Sequence, residues 1–248
     1  MVIKKIKSKT NTFYFAHRGA QKIYSENTLK SFQKAIELGC DGIEMDIQIT
    51  KDEKIIIFHD FDIALGKNQH FISQLTYQEI ISLCKSKKIT PPDLFDSVIP
   101  LMSKNPDIIF NIEIKSQAYN NFKIINFLNH LLSEPLMQNQ CIFSSVNPFC
   151  LIQLKAHIGK KVFIGIVLGS KRMKNNPNSI LNKIIIKCIN PQFLHPNANY
   201  LNLELVDWAH ANNMLVSTYT VNSRVQLEEM KKLGVDGVFT DNHNFYLK

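Results

Sequence analysis

Short apolar runs of strand type alternate with amphipathic segments of helical type along nearly the whole of this 248-residue chain. Eight runs have strand patterns, at 13–16, 41–50, 108–114, 141–144, 163–168, 192–195, 215–220 and 237–240. Helical patterns lie between them, at 26–38, 121–133, 148–157, 200–212 and 223–233, with a weaker one at 178–187. Strands that alternate with helices predict an α/β fold with a parallel sheet, and eight such units predict a closed (β/α)8 TIM barrel.

The first helical segment, 26–38, carries signals at both ends. Ser25 and Asn27 are candidate N-caps because their side-chain oxygens can accept hydrogen bonds from the free backbone N–H groups of a first helical turn. Gly39 is a candidate end, since glycine tolerates the left-handed backbone that often follows a helix.

A ninth apolar run, 54–58, follows the strand at 41–50 after only three residues. Because a parallel crossover needs a much longer connection, these two strands must form an antiparallel hairpin. If the turn centres on residues 52–53, His59 lies opposite Asp46, at roughly 5 Å across the ladder. The hairpin therefore predicts a histidine beside a carboxylate.

The segment 61–106 interrupts the alternation, and we expect no strands in it. It contains one short helix that Thr76 opens and in which Glu79 completes a capping box. We interpret it as a small insertion after the extra hairpin strand that covers part of the active face of the barrel. No linker or repeat divides the chain, so we expect residues 1–248 to form one domain.

Carboxylates occur at alternate positions in two of the predicted strands. In 41–50, Glu44 and Asp46 share one face of the strand, and Glu113 and Lys115 share one face of another. Carboxylates that point into a barrel are costly unless a cation neutralises them. Three carboxylates favour Mg²⁺ or Ca²⁺ rather than zinc. The alternative is that the strands are amphipathic edge strands with solvated charges.

Histidines and cations complete this group of residues. His17 follows the first strand directly and Arg18 follows it, while the predicted hairpin adds His59. Two imidazoles can serve as base and acid in one displacement. Arg18 and Lys115 can neutralise phosphate oxygens. The set predicts metal-assisted chemistry on a phosphate ester.

The formal net charge of +8 comes mainly from dispersed lysines. Only Arg18, Arg172 and Arg224 are arginines, the residue type preferred for contacts with bases and phosphates, so we expect no nucleic-acid partner. No run reaches the roughly 18 apolar residues of a membrane span, and residues 1–9 lack the apolar core of a signal peptide. Five cysteines without CxxC spacing indicate free thiols in a reducing compartment, so we expect a cytoplasmic protein without stable membrane insertion.

The ordered set of short motifs resembles the glycerophosphodiester phosphodiesterase family. The matching residues are His17-Arg18-Gly19, Glu26-Asn27-Thr28, Gly42-Ile43-Glu44-Met45-Asp46, Thr50-Lys51-Asp52, His59-Asp60, Glu113-Ile114-Lys115, Thr220-Val221-Asn222, Gly234-Val235-Asp236-Gly237 and Thr240-Asp241. They span nearly the whole chain in the order and spacing of the family.

This resemblance implies a barrel with a small inserted subdomain. It implies that Glu44, Asp46 and Glu113 hold a divalent metal, and that Arg18 and Lys115 hold the phosphate. His17 and His59 would be the general base and acid. In such enzymes the glycerol 2-hydroxyl attacks phosphorus and expels the alcohol, and water then opens a cyclic phosphate to give glycerol 3-phosphate.

The chain departs from the family pattern at Tyr219. The family usually has a tryptophan there, and that residue would contact the glycerol moiety; tyrosine keeps an aromatic face. Tyr219 is therefore a candidate substrate-binding residue.

Two other functions stay open. One is a lysophospholipase D or a phospholipase C-like enzyme acting on lipid substrates, for which apolar residues of the insertion would supply a collar at the barrel mouth. The other is a catalytically silent barrel that binds a phosphorylated ligand. The sequence leaves the head group, the physiological metal and the oligomeric state undetermined.

Overall fold

A computed structural model describes residues 2–8, 12–66, 68–118, 121–132, 135–159, 162–169 and 179–247. Its strands are β1 (Phe13–Ala16), β2 (Gly42–Ile49), β3 (Ile55–Ile57), β4 (Asp62–Leu65), β5 (Asn68–Phe71), β6 (Ile109–Ile114), β7 (Cys141–Ser145), β8 (Phe163–Leu168), β9 (Phe193–Pro196), β10 (Leu215–Thr218) and β11 (Gly237–Thr240). Its helices are α1 (Val2–Ser8), α2 (Leu29–Glu37), α3 (Tyr77–Lys87), α4 (Ile99–Lys104), α5 (Phe122–Leu131), α6 (Pro135–Gln140), α7 (Pro148–Ile158), α8 (Ile180–Ile189), α9 (Leu203–Ala211) and α10 (Arg224–Lys232).

Eight strands form a closed parallel barrel. They run in the order β1, β2, β6, β7, β8, β9, β10 and β11, and β1 pairs in parallel with both β2 and β11, which closes the ring. Helices connect the successive strands, with the longer β3–α4 stretch between β2 and β6. The predicted (β/α)8 TIM barrel is confirmed.

The N-cap of α2 is Thr28, so the prediction of Ser25 or Asn27 is wrong. The Thr28 side chain accepts a hydrogen bond from the Ser31 N–H, and the Ser31 hydroxyl accepts one from the Thr28 N–H. Asn27 instead has a left-handed backbone, with φ of +55°, and its amide faces the barrel interior. Gly39 follows the helix with φ of +94°, as the sequence predicts.

The hairpin of β2 and β3 forms, but its predicted register is wrong by one residue. Ile47 pairs with Ile57, and Phe58 rather than His59 donates its backbone N–H to the Asp46 carbonyl. His59 therefore does not lie opposite Asp46 on the ladder.

The turn of the hairpin explains the shift. The loop holds three residues, 51–53, rather than two, and Thr50 pairs with Lys54 across it. Glu53 ends the loop with φ of +61°, the left-handed conformation that a three-residue hairpin loop requires at its last position. One extra loop residue moves every opposed pair by one position.

The segment after β3 contains strands, contrary to the sequence prediction. β4 and β5 pair as a separate antiparallel hairpin, and α3 follows with the predicted capping box between Thr76 and Glu79. Ile56 of β3 packs with Ile63, Ile72 and Ile80 in a core of its own. Strands β4 and β5 have only four residues each and lack the apolar alternation on which the strand predictions depended.

Helix α1, which the sequence pattern did not predict, covers the N-terminal end of the barrel. Val2 and Ile6 are buried against the lowest inward-facing side chains of the strands. Those side chains are Phe13, Phe15, Ile109, Ile142, Phe193, Leu215 and Phe239. This apolar plug closes one end of the interior, so among the residues that the structure describes the barrel is open to a ligand at its other end.

The five cysteines are free thiols, as predicted; four of them are buried and Cys188 is exposed. Among the described residues, no helix combines the length and the apolar character that crossing a bilayer requires.

Candidate active site

A cavity of about 710 Å³ opens at the C-terminal ends of the barrel strands, where barrel enzymes hold their reacting groups. Every predicted site residue except Asp46 lines it, and Asp46 lies buried behind the others. The lining residues are His17, Arg18, Glu44, His59, Asp60, Phe61, Asn111, Glu113, Lys115, Ser116, Gln117, Val146, Val167, His195, Asn197, Tyr219, Thr220 and Phe239. The structure therefore brings together the polar groups that the sequence singled out.

Glu44, Asp46 and Glu113 form a compact group of carboxylates. One oxygen from each lies within 4.8 Å of the others. Ca²⁺ binds oxygen at roughly 2.3–2.6 Å, so oxygens that share one ion lie no more than about 5 Å apart. The three carboxylates therefore have both the chemistry and the spacing for one hard cation.

The position of β2 excludes the edge-strand alternative. β2 lies between β1 and β6, and the register places Asp46 directly beside Glu113. Glu44 and Asp46 are 4% and 1% exposed. Their charges are not solvated, so they must be balanced inside the protein.

Asp46 is held by three partners. The Asn27 amide donates to Asp46 Oδ2 at 2.8 Å and its carbonyl accepts from the Asp46 N–H at 3.1 Å. Lys115 Nζ lies 3.1 Å from Oδ1 and Arg18 Nε lies 3.3 Å from Oδ2. Burial opposes ionisation, but these cations and the Asn27 hydrogen bond outweigh it and hold the pKa of Asp46 well below its usual range.

The pKa of Glu44 is shifted in the opposite direction from that of Asp46. Burial and the neighbouring Asp46 charge raise the pKa of Glu44, although the Arg18 N–H donates to its Oε2 at 2.9 Å. Two carboxylates in one low-dielectric site repel each other, and a bound cation relieves such repulsion. The fit of the site to a cation is electrostatic as well as geometric.

His17 is held by a chain of hydrogen bonds from residues that follow the last two barrel strands. Its Nδ1 lies 2.7 Å from Asp241 Oδ1, and the Asn222 amide donates to Asp241 Oδ2 at 2.7 Å. The Nε2 of His17 lies on the side of the three carboxylates, 4.0 Å from Glu44 Oε2. Burial lowers the pKa of His17, but Asp241 and Glu44 outweigh it and raise the pKa above its ordinary value.

The turn after β1 aims these groups. Arg18 and Gly19 both have left-handed backbones, with φ of +56° and +81°. A Cβ at Gly19 would collide with Ser31 and Phe32 of α2, so only glycine fits. The turn directs the backbone N–H of Arg18 at Glu44. The guanidinium group of Arg18 also donates a hydrogen bond to Glu26 Oε1, at 2.9 Å.

His59 and Tyr219 reach the cavity from opposite sides. His59 follows β3, is about one-third exposed, and hydrogen-bonds Asp60 through Nδ1 at 2.9 Å. Tyr219 follows β10, and its hydroxyl donates to the Leu168 carbonyl at 2.9 Å, which leaves its ring to line the cavity.

Three further residues hold the site together, and the sequence did not predict them as site residues. They are Asn27, Asn222 and Asp241, each of which bonds a predicted site residue or its partner. All three belong to the short motifs that resemble the family, and this was the only sign in the sequence that they contribute to the site. Their side chains become partners only after the barrel closes.

A sequence profile of the glycerophosphoryl diester phosphodiesterase family matches residues 17–244. A glycerophosphodiester phosphodiesterase of Caldanaerobacter subterraneus subsp. tengcongensis is 31% identical over 241 residues, which cover 93% of this chain and 94% of the relative. The crystal structure of a glycerophosphodiester phosphodiesterase from Thermotoga maritima superimposes with a TM-score of 0.73 at 25% identity, covering 96% and 98% of the two chains.

A lysophospholipase D of Mus musculus is also similar to part of the chain. It is 30% identical over 145 residues, which cover 54% of this chain and 45% of the relative. The similarity therefore extends to proteins whose names state a lipid substrate, but over a smaller part of the sequence.

Proposed function

Because the chain belongs to the glycerophosphoryl diester phosphodiesterase family, we propose that it hydrolyses glycerophosphodiesters to glycerol 3-phosphate and an alcohol. The observation that carries the proposal is the placement of three carboxylates, two histidines and two cations around one cavity. A silent binding barrel is less favoured, since every proposed reacting group is present and faces the cavity or lies directly behind it.

Glu44, Asp46 and Glu113 would hold one divalent cation, Mg²⁺ or Ca²⁺. Such a cation stabilises negative charge on phosphoryl oxygens and lowers the pKa of an oxygen that it binds. Asn27 would keep Asp46 oriented toward the ion through its two hydrogen bonds.

His17 and His59 would move the protons. As general base, His17 would take the proton from the glycerol 2-hydroxyl while that oxygen attacks phosphorus, and Asp241 would fix the ring and stabilise the imidazolium. As general acid, His59 would give a proton to the departing alcohol oxygen. Water would then open the cyclic phosphate to give glycerol 3-phosphate.

The remaining predicted residues would bind substrate. Arg18 and Lys115 would balance the charge of the phosphate oxygens, since both lie at the edge of the carboxylate group. Lys115 keeps its proton there, because Asp46 and Glu113 raise its pKa despite the opposing effect of burial. Tyr219 would place its ring against the glycerol moiety.

A second candidate function, hydrolysis of lysophospholipids, is favoured by a groove beside the cavity. This groove of about 520 Å³ shares Phe61 and Lys115 with the cavity and adds Phe71 and Phe122, which are 39% and 49% exposed. An apolar groove that continues from a phosphate site could hold an acyl chain.

One assay of choline release tests both candidates. We expect the purified chain with Mg²⁺ or Ca²⁺ to release choline from glycerophosphocholine, and EDTA to abolish the release. His17→Ala should lower turnover on the order of 10²-fold or more, whereas the exposed His157→Ala should retain it. Unchanged activity in His17→Ala, or turnover in EDTA, would contradict the proposal.

Lysophosphatidylcholine, tested in the same assay, separates the substrates. If the groove holds an acyl chain, Phe122→Ser should lower choline release from lysophosphatidylcholine and leave glycerophosphocholine unaffected. Phe149→Ser is the matched control, since Phe149 is similarly exposed (51%) but lies outside the groove. No release from lysophosphatidylcholine by the unaltered chain would eliminate the second candidate.

A further inference from the structure

Two polar side chains on the floor of the cavity have no role in the proposed chemistry. Asn111 of β6 and His195 of β9 are 2% and 1% exposed, and both line the cavity. Each has a buried polar atom, Asn111 Oδ1 and His195 Nε2, without a hydrogen-bond partner among the described residues. Buried polar atoms that lack a partner are costly, and they occur where a ligand or a water supplies one.

Both atoms are hydrogen-bond acceptors. The Asn111 amide nitrogen donates to Ser144 Oγ at 2.9 Å, which leaves the carbonyl oxygen Oδ1 as the atom without a partner. His195 Nδ1 lies 3.3 Å from the Ser217 carbonyl, which can only accept, so Nδ1 carries the hydrogen and Nε2 presents a lone pair. Burial lowers the pKa of His195 to about 4, so the ring is neutral and Nε2 stays an acceptor near pH 7.

The surroundings of His195 keep Nε2 in place. The ring packs edge-on against Phe239 at 4.9 Å and stacks with Phe193 at 6.1 Å, measured between ring centroids. A Cβ at Gly165 would lie 2.5 Å from Nε2, so the absence of a side chain on β8 leaves this nitrogen its space.

Asn111 lies directly beside the proposed cation site. It pairs with Glu44 in the ladder between β2 and β6, and it lies two residues before Glu113 on the same face of β6. A group bound to Asn111 Oδ1 would therefore lie next to the proposed phosphate site, on the side toward the closed end of the barrel.

We propose that Asn111 Oδ1 and His195 Nε2 form a hydroxyl-recognition site, which accepts hydrogen bonds from the hydroxyl groups of the glycerol moiety. This inference rests on the proposed function and specifies which end of the substrate enters the barrel. The glycerol end lies on the closed floor, and the alcohol that leaves lies toward the open mouth near Phe61.

The chemistry of the two acceptors excludes the phosphate as their ligand. Phosphate oxygens near neutral pH are mainly acceptors, so two further acceptors cannot bind them, whereas Arg18 and Lys115 can. A hydroxyl group donates one hydrogen bond, so the two hydroxyls of the product, glycerol 3-phosphate, can satisfy both acceptors. In the diester the 2-hydroxyl would give its hydrogen to His17 as it attacks phosphorus, and the terminal hydroxyl would keep its hydrogen bond to the site. A site built to bind a hydroxyl strongly disfavours an analogue that lacks it.

Calorimetric titration in the presence of Ca²⁺ tests the site with three phosphate monoesters. They are glycerol 3-phosphate, propane-1,3-diol monophosphate, which lacks the secondary hydroxyl, and propane-1,2-diol 1-phosphate, which lacks the terminal one. We expect the unaltered chain to bind glycerol 3-phosphate about tenfold or more tightly than at least one deoxy analogue.

Variants then locate the preference. His195→Phe keeps a ring against Phe193 and Phe239 but removes both nitrogens, and Asn111→Leu removes the second acceptor. Each should bind glycerol 3-phosphate more weakly and lose most of its preference over the deoxy analogue, while His157→Phe, at an exposed position, should keep it. Circular dichroism identifies any variant that fails to fold. In that case the remaining variant and the titrations of the unaltered chain test the hydroxyl site.

Different results would refute the hydroxyl site and the proposed function. If the unaltered chain cleaves glycerophosphocholine but binds all three monoesters equally, the hydroxyl site is wrong and the proposed function stands. Folded variants that retain the full preference also overturn the site. A chain that neither hydrolyses any diester nor binds glycerol 3-phosphate contradicts both.

Discussion

His17 and Asp241 are separated by 224 positions in the sequence, yet His17 Nδ1 lies 2.7 Å from Asp241 Oδ1. The contact exists because β1 and β11 are adjacent in the closed barrel, where the His17 N–H also donates to the Thr240 carbonyl at 3.0 Å. Asp241 raises the pKa of His17 against the effect of burial.

Asp241→Asn should therefore lower turnover of glycerophosphocholine, on the order of 10²-fold. Without the Asp241 charge, the pKa of His17 falls, so the acidic limb of the pH profile of kcat/KM should move to lower pH. Asp236→Asn is the matched control, because it alters a second aspartate–histidine pair, with His210, that lies outside the cavity. A pH profile of Asp241→Asn that coincides with that of the unaltered chain would refute this role.

Asn27→Gly should weaken the binding of the divalent cation. The variant removes both hydrogen bonds to Asp46, and glycine accepts the left-handed backbone that Asn27 adopts. We expect the Mg²⁺ or Ca²⁺ concentration for half-maximal activity to rise about 10- to 100-fold, as measured by metal titration of the chelated protein. Asn213→Gly, at an exposed position with φ of +60°, should leave it unchanged.

Glu44 should make the stability of the chelated protein depend on pH. Its pKa is higher in the folded chain than in the unfolded one, so stabilisation is present below the unfolded pKa and is lost as pH rises through the folded value. We therefore compare the Tm of the unaltered chain with that of Glu44→Gln, both in EDTA. The Tm of the unaltered chain minus that of Glu44→Gln should be smaller at pH 9 than at pH 6.

Added Ca²⁺ should raise the Tm of the unaltered chain at pH 8 by several degrees, and that of Glu44→Gln by less, since one carboxylate is gone. Glu37→Gln on the surface of α2 is the control and should respond like the unaltered chain. An equal response of the Glu44 variant would count against a cation at this site.

Ile6→Ala should destabilise the fold without altering the chemistry. Ile6 is 3% exposed in the plug beneath the barrel, so its truncation should cost about 2 kcal/mol or more. The melting temperature should fall by several degrees, while kcat at 25 °C stays unchanged because the cavity is at the opposite end. Lys4→Ala, on the exposed face of α1, should melt like the unaltered chain.

Periodic apolar runs made the barrel predictable. Eight strands were recognised from short runs of branched and aromatic residues, and alternation placed Glu44 and Asp46 on one face of β2. The β4–β5 hairpin was missed because each strand has only four residues and most of them are exposed, so the strands lack the alternation of apolar and polar residues that identifies a half-buried strand. Helix α1 was missed because it is only seven residues long and three of them are lysines, so its two plug residues form no recognisable apolar pattern.

The site was predictable as a set of residue types but not as a set of contacts. Sequence reasoning put His59 opposite Asp46, and the three-residue turn ending at Glu53 changed that register by one. Register depends on the backbone conformation of the loop, and residue identity specifies that conformation only weakly when glycine is absent.

By itself, the sequence determined the order of elements, the faces of the strands and the family, because these depend on local periodicity and ordered motifs. Only the tertiary structure decided which side chains meet: Asp241 with His17, Asn27 with Asp46, and the unpartnered Asn111 and His195 on one floor. Barrel closure brings the first and last strands together, and no local pattern of residues records the distance between side chains that a closed ring imposes.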